Sequence, residues 1–142
     1  MAVSQLDEGQ SDRTLTVEGP IHRDLIARRV AAAFGKARTG GRIRSASDTA
    51  VDQAVRMGRC RLDGEFAMTA AQAEDPPVRD RSAPDAPGAA GHLPPVEIRA
   101  AAARVVAESG EMPREELVGA TARLLGFARV GPEVRGVIYA AL

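Results

Sequence analysis

The sequence predicts a mainly α-helical protein with one small β-hairpin, arranged as two repeated helix–turn–helix, winged-helix-like units that are both incomplete. Three observations carry this reading. Apolar residues recur at three- and four-residue spacing in five segments, the period of an amphipathic helix. A frame of Gly, Ala, Arg, Gly and Arg occurs twice, at Gly35, Ala37, Arg38, Gly40 and Arg44 and again at Gly126, Ala128, Arg129, Gly131 and Arg135. Asp63-Gly64 lies between two short alternating runs, a strong hairpin signal.

The two frames are 91 residues apart, and this offset aligns residues 19–51 with 110–142 without a gap; nine of the 33 positions are identical. Apolar residues also face apolar residues: Ile21 with Met112, Ile26 with Leu117, Phe34 with Leu125, Ile43 with Val134 and Val51 with Leu142. Alanine matches are cheap in an alanine-rich chain. The Gly and Arg identities and the apolar register are not, so the sequence reads as an internal duplication.

Residues 1–18 form a polar N-terminal segment whose Gly9 and scarcity of apolar residues argue against a first helix. Residues 19–68 make the first unit, with helices at about 22–34 and 41–57 and a hairpin wing carrying Cys60, Leu62, Phe66 and Met68. Residues 69–92, rich in Pro, Ala, Asp and Gly, read as a linker, extended or disordered. Residues 93–142 make a second three-helix unit without a wing. Pro94-Pro95, Pro113 and Pro132 open its helices, where proline suits the first turn. Gly35 and Gly126 are expected to supply the left-handed residue that ends a helix, and Gly40 and Gly131 to precede the next. Each incomplete core leaves apolar surface to be covered by the other copy or by self-association.

The chain of 142 residues is long enough for one ordinary domain or two very small ones. It has 3% aromatic residues and no Trp, which predicts a thin core and modest stability. A single cysteine, Cys60, allows no internal disulfide and suits a reducing compartment. No secretory h-region and no membrane-length apolar run occurs, so a bacterial-style cytoplasmic location is expected. Net charge is zero, yet residues 19–68 hold ten basic and five acidic groups. That block alone has a field able to attract a polyanion.

No catalytic constellation emerges. His22, His92 and Cys60 lack metal-ligand spacing, so no metal or cofactor is expected. His22 reads as a helix cap or a solvent-facing residue, and Cys60 as a small buried apolar residue. Ser45, Ser47 and Ser109 have no adjacent base in sequence. The loop GKARTGGR could cradle a phosphate before a helix. Its counterpart GFARVGPE replaces Lys36 with Phe127 and Arg42 with Glu133, which favours a structural turn. Arg38 and Arg129 are expected to pair with Asp24 and Glu115. In a winged helix the third helix enters the major groove and the wing touches the backbone. The expected nucleic-acid-binding residues are therefore Arg42, Arg44, Arg59 and Arg61, with Asp48 and Asp52 opposing them. A protein-docking or dimerisation module without nucleic-acid contact is the alternative.

The residues VEGPIHRDLIARRVAAAFGKARTGGRIR, GEFAM, PPVRDRS, LPPVEIRAAAARVVAESG and EELVGATARLLGFARVGPEVR resemble domain of unknown function 3320. That domain forms the C-terminal region of very large bacterial proteins with superfamily I helicase-like and restriction-endonuclease-like segments. The resemblance runs over roughly 17–142, with EGPIH and LLGFAR its most specific phrases. It implies a non-catalytic accessory module that holds duplex DNA or a helicase or nuclease partner, or a fragment of such a gene. The chain has no GxxxxGK[ST] phosphate loop, so neither helicase nor nuclease activity carries over.

Overall fold

A computed structural model describes residues 3–82 and 90–142, with the backbone alone for 3–8. The protein is mainly helical, as the sequence predicts, and the predicted hairpin is part of a small three-stranded antiparallel sheet. It divides into two compact units, Met1–Asp75 and Pro76–Leu142.

The first unit opens with helix α1, Val3–Glu18, where the sequence reading placed no helix. The correction has a physical cause. Helix α1 buries small hydroxyl residues, Ser11 and Thr14, beside Leu15, so it shows almost no apolar periodicity. The Thr14 hydroxyl donates to the Gln10 carbonyl one turn back and so enters the interface already satisfied. Strand β1, Ile21–His22, leads into α2, Arg23–Ala33. His22 caps α2: its Nδ1 accepts from the Asp24 backbone N–H at 3.0 Å, as the sequence predicts. Helix α3, Gly41–Arg56, buries Ser47, Ala50, Val51 and Ala54. Helix α1 packs on both α2 and α3, so the first core has its cover.

Strands β2, Arg61–Asp63, and β3, Phe66–Met68, form the hairpin. Its two-residue loop is Gly64-Glu65 rather than Asp63-Gly64, because Asp63 pairs with Phe66. Only the first loop residue, Gly64, needs a positive φ, 58°, which matches a type II′ turn. Leu62 stays 39% exposed on the outer strand, whereas Cys60, Ala67 and Met68 are buried. Strand β1 pairs with β3 and sets the order β1-β3-β2. Two residues are too short to show alternation, so the sequence alone does not reveal β1.

The stretch read as a linker carries folded structure in its described parts. Thr69 and Gln72 form a capping box on α4, Ala70–Glu74. The Gln72 amide also donates to the Leu15 and Thr16 carbonyls at the end of α1. In the second unit Arg79 and Arg81 hold Glu97. Residues 83–89 of this stretch lie outside the described residues.

The second unit continues with a 3₁₀ turn, Ala90–His92, then α5, Pro95–Ser109, α6, Arg114–Leu124, and α7, Pro132–Ala141. Leu93, Ile98, Val118, Leu125 and Ile138 centre its core. Helix α6 begins and ends 91 residues after α2, and α7 begins 91 residues after α3. The corners correspond in detail. Gly35 and Gly126 have φ of 71° and 94°. Gly40 and Gly131 cap the following helices, both at φ −75°.

Candidate nucleic-acid interface

The outward face of α3 is set by its buried one. Ser47, Ala50, Val51 and Ala54 point inward, so Arg42, Ser45, Thr49, Asp52 and Arg56, at three- and four-residue steps, line the exposed side. At 1.5 Å rise per residue, Arg42 and Arg56 lie about 21 Å apart along the axis. Beyond Arg56 the chain turns through Met57, Gly58 and Arg59 into β2, where Arg61 is exposed.

Asp48 and Asp52, expected to repel phosphate, are not bare. Arg23 Nε donates to Asp48 Oδ1 at 3.3 Å and Arg23 Nη2 to Asp52 Oδ1 at 3.1 Å. Arg44 Nε donates to Asp48 Oδ2 at 3.1 Å, and its Nη1 pairs closely with Asp24. The bonds to Asp24, then to Asp48, raise the Arg44 pKa above its already high value. This network draws the carboxylates onto α2 and the start of α3, and it also occupies Arg44.

The four candidate arginines therefore divide. Arg44 is held by Asp24 and Asp48. Arg59 pairs with Asp12 of α1 at 2.8 Å. Arg42 and Arg61 are exposed and make no ion pair with a described residue. Arg42 lies in the first turn of α3, and Arg61 lies on β2, beyond the helix's last turn.

Four further cations are exposed; the sequence reading names Lys36 only within a structural turn and Arg38 only as a partner of Asp24. Arg28, Lys36, Arg38 and Arg56 likewise make no ion pair with a described residue. The expected pairing of Arg38 with Asp24 does not form, because Arg44 takes Asp24. Arg129 and Glu115 are both exposed and make no pair with each other. Lys36 and Arg42 flank a groove of about 360 Å³ whose apolar lining is Phe34 and Ile43. The signal for these cations was present in the charge of residues 19–68; which of them remained free was not.

Cys60 is buried, and loss of solvation pushes its thiol pKa up, against the character of a nucleophile. Within either unit, no three His, Cys, Asp or Glu ligand atoms converge among the described residues. No described helix is long and apolar enough to cross a membrane.

Residues 12–45 match the family model described as Protein of unknown function (DUF3320). The match runs from the second half of α1 through α2 and its turn into the start of α3. It covers the Arg23–Asp24–Arg44 part of the ion network, and the resemblance read over 17–142 is thus matched in this portion. No curated protein matches the chain. No solved structure matches it.

Proposed function

We propose that the Met1–Asp75 unit is a winged-helix-like, non-catalytic module that binds duplex nucleic acid across α3. The order of helices and strands, α1-β1-α2-α3-β2-β3, with the β2–β3 hairpin as wing, supports this reading. One observation carries it. The exposed face of α3 has a free arginine near each end, Arg42 and Arg56, with Ser45, Thr49 and the Arg23-paired Asp52 between them. A major groove is about 12 Å wide, so a helix of this length laid across it presents its ends to phosphates on both sides. Hydroxyl side chains between them suit base edges. Arg61 on the wing adds a backbone contact beyond the groove. In this reading the chain serves a separate helicase or nuclease in a bacterial cytoplasm. The matching corners 91 residues apart point to a duplicated helix–turn–helix, of which the first copy alone carries the basic face.

The test is affinity for a random duplex across a salt series. The chain binds weakly, with strong salt dependence, and Arg42→Ala/Arg61→Ala flattens the log–log slope by about 1.8, two phosphate contacts' worth. Wild-type chain that does not bind even at low salt refutes the reading. A second reading then takes its place, favoured by the groove of Phe34 and Ile43 flanked by Lys36 and Arg42. That surface suits an acidic amphipathic protein segment, which would shift the Phe34 and Ile43 signals on titration.

A further inference from the structure

The end of α2 and the turn after it form a second concavity in the first unit. It encloses about 410 Å³ and is lined by Arg28, Ala31, Ala32, Lys36, Ala37, Arg38 and Thr39. Alanines leave the floor open, and three cations stand around it. Arg28, Lys36 and Arg38 are exposed and make no ion pair with a described residue. No carboxylate lines the groove. Thr39 contributes a buried hydroxyl that finds no hydrogen-bond partner among the described residues. Three uncompensated cations around one small concavity repel each other, and an unsatisfied hydroxyl beside them is costly. A multivalent oxyanion relieves the repulsion among the three cations.

The corresponding corner of the second unit lacks this chemistry. At the positions 91 residues later stand Gly119 for Arg28, Phe127 for Lys36, Arg129 for Arg38 and Val130 for Thr39. The backbone corner recurs, whereas the cations and the hydroxyl belong to the first unit. A turn needed for folding alone does not require them.

We infer that this groove is a phosphate site, in which Arg28, Lys36 and Arg38 bind the oxygens of a phosphoryl group. Guanidinium groups offer paired N–H donors to two phosphate oxygens, and the Lys36 ammonium adds a mobile point charge. The phosphate comes from the backbone of the duplex beside the start of α3. For that source the inference rests on the reading in the preceding subsection; a free phosphate compound has the same chemistry.

Two measurements on the full chain test it. The first is the duplex salt series with Arg28→Gln/Lys36→Gln/Arg38→Gln. The second follows backbone amides 35–39 of the wild type by NMR as pyrophosphate is added, with chloride matched for ionic strength; it needs no variant to fold. The expected result is a salt slope flatter by about 0.9 in the variant, for the one phosphate the groove holds, and selective shifts at amides 35–39. Pyrophosphate shifts with no duplex binding, or with an unchanged slope, support the groove and identify a free phosphate as its ligand. In the first of those cases the duplex reading falls while the groove stands. Duplex binding with an unchanged slope and no pyrophosphate shift overturns the groove and leaves the duplex reading intact. No response to either ligand overturns both.

Discussion

Arg81 and Glu97 form a buried ion pair, Arg81 Nη2 donating to Glu97 Oε2 at 2.7 Å, with both side chains almost sealed from solvent. Arg79 holds the other carboxylate oxygen, and the Arg81 backbone N–H donates to the Leu125 carbonyl at the end of α6. Glu97 lies in the first turn of α5, where the helix dipole also favours its charge. The segment 79–81 thus ties the first turn of α5 to the end of α6. Removing Arg81 leaves the buried Glu97 with the more exposed Arg79 alone, and losing a buried partner costs up to about 3–5 kcal/mol. Arg81→Met should destabilise the second unit by that order, and Arg81→Met/Glu97→Met by clearly less. Tyr139, the sole tyrosine, reports this unit's denaturant unfolding by its fluorescence.

The two corner glycines should respond differently to alanine. Gly35 and Gly126 both require a positive φ, which costs an L-residue about 1 kcal/mol or more. A Cβ at Gly35 meets open space, whereas one at Gly126 collides with Asp80 and with the backbone nitrogens of Arg81 and Ser82. Gly35→Ala is expected to cost about 1 kcal/mol. Gly126→Ala should cost at least twice that and loosen the 80–82 segment, measured by amide exchange at Arg81.

Helices with an apolar stripe were legible in the sequence, and so was the corner between them. Gly35, Gly40, Gly126 and Gly131 announced it through the backbone freedom that their positions demand. Helix α1 was illegible because Ser11 and Thr14 bury without hydrophobicity, and hydroxyl groups look like surface until a neighbour covers them. The 76–82 segment was illegible for the opposite reason. PPVRDRS looks like solvent-exposed chain, yet its arginines fold onto a buried carboxylate 16 or 18 residues away. Candidate site residues showed the same limit. Charge counting located the basic unit, but pairing decided which cations stayed free: Arg44 and Arg59 were claimed by Asp24, Asp48 and Asp12, while Arg28, Lys36, Arg38 and Arg56 were not.

Ser47 lies 1% exposed under α3, and its hydroxyl has no partner among the described residues. An unsatisfied buried hydroxyl costs about 1–3 kcal/mol. Ser47→Ala removes the hydroxyl while keeping the helix, so it should stabilise the first unit by about 1 kcal/mol in denaturant titration. A destabilised variant would show that the hydroxyl is satisfied in solution.

Cys60 sets a pH dependence on the alkaline side. Burial raises its pKa in the folded chain, so between the unfolded value, about 8.5, and the folded one the native state holds the extra proton. Stability is therefore full below about pH 8.5 and falls as pH rises through the folded value. Cys60→Ala should flatten this decline. In the native wild type, thiol reagents at pH 8 should react slowly and speed up on unfolding.

Duplex nucleic acid is proposed to lie across α3 of the first unit. Backbone NMR of the full chain with a short random duplex at low salt tests it most directly. The account predicts shifts at residues 36–45 and 56–61, graded with added duplex and reversed by salt, while α5, α6 and α7 stay unperturbed. Shifts confined to the second unit, or none at all, would contradict it.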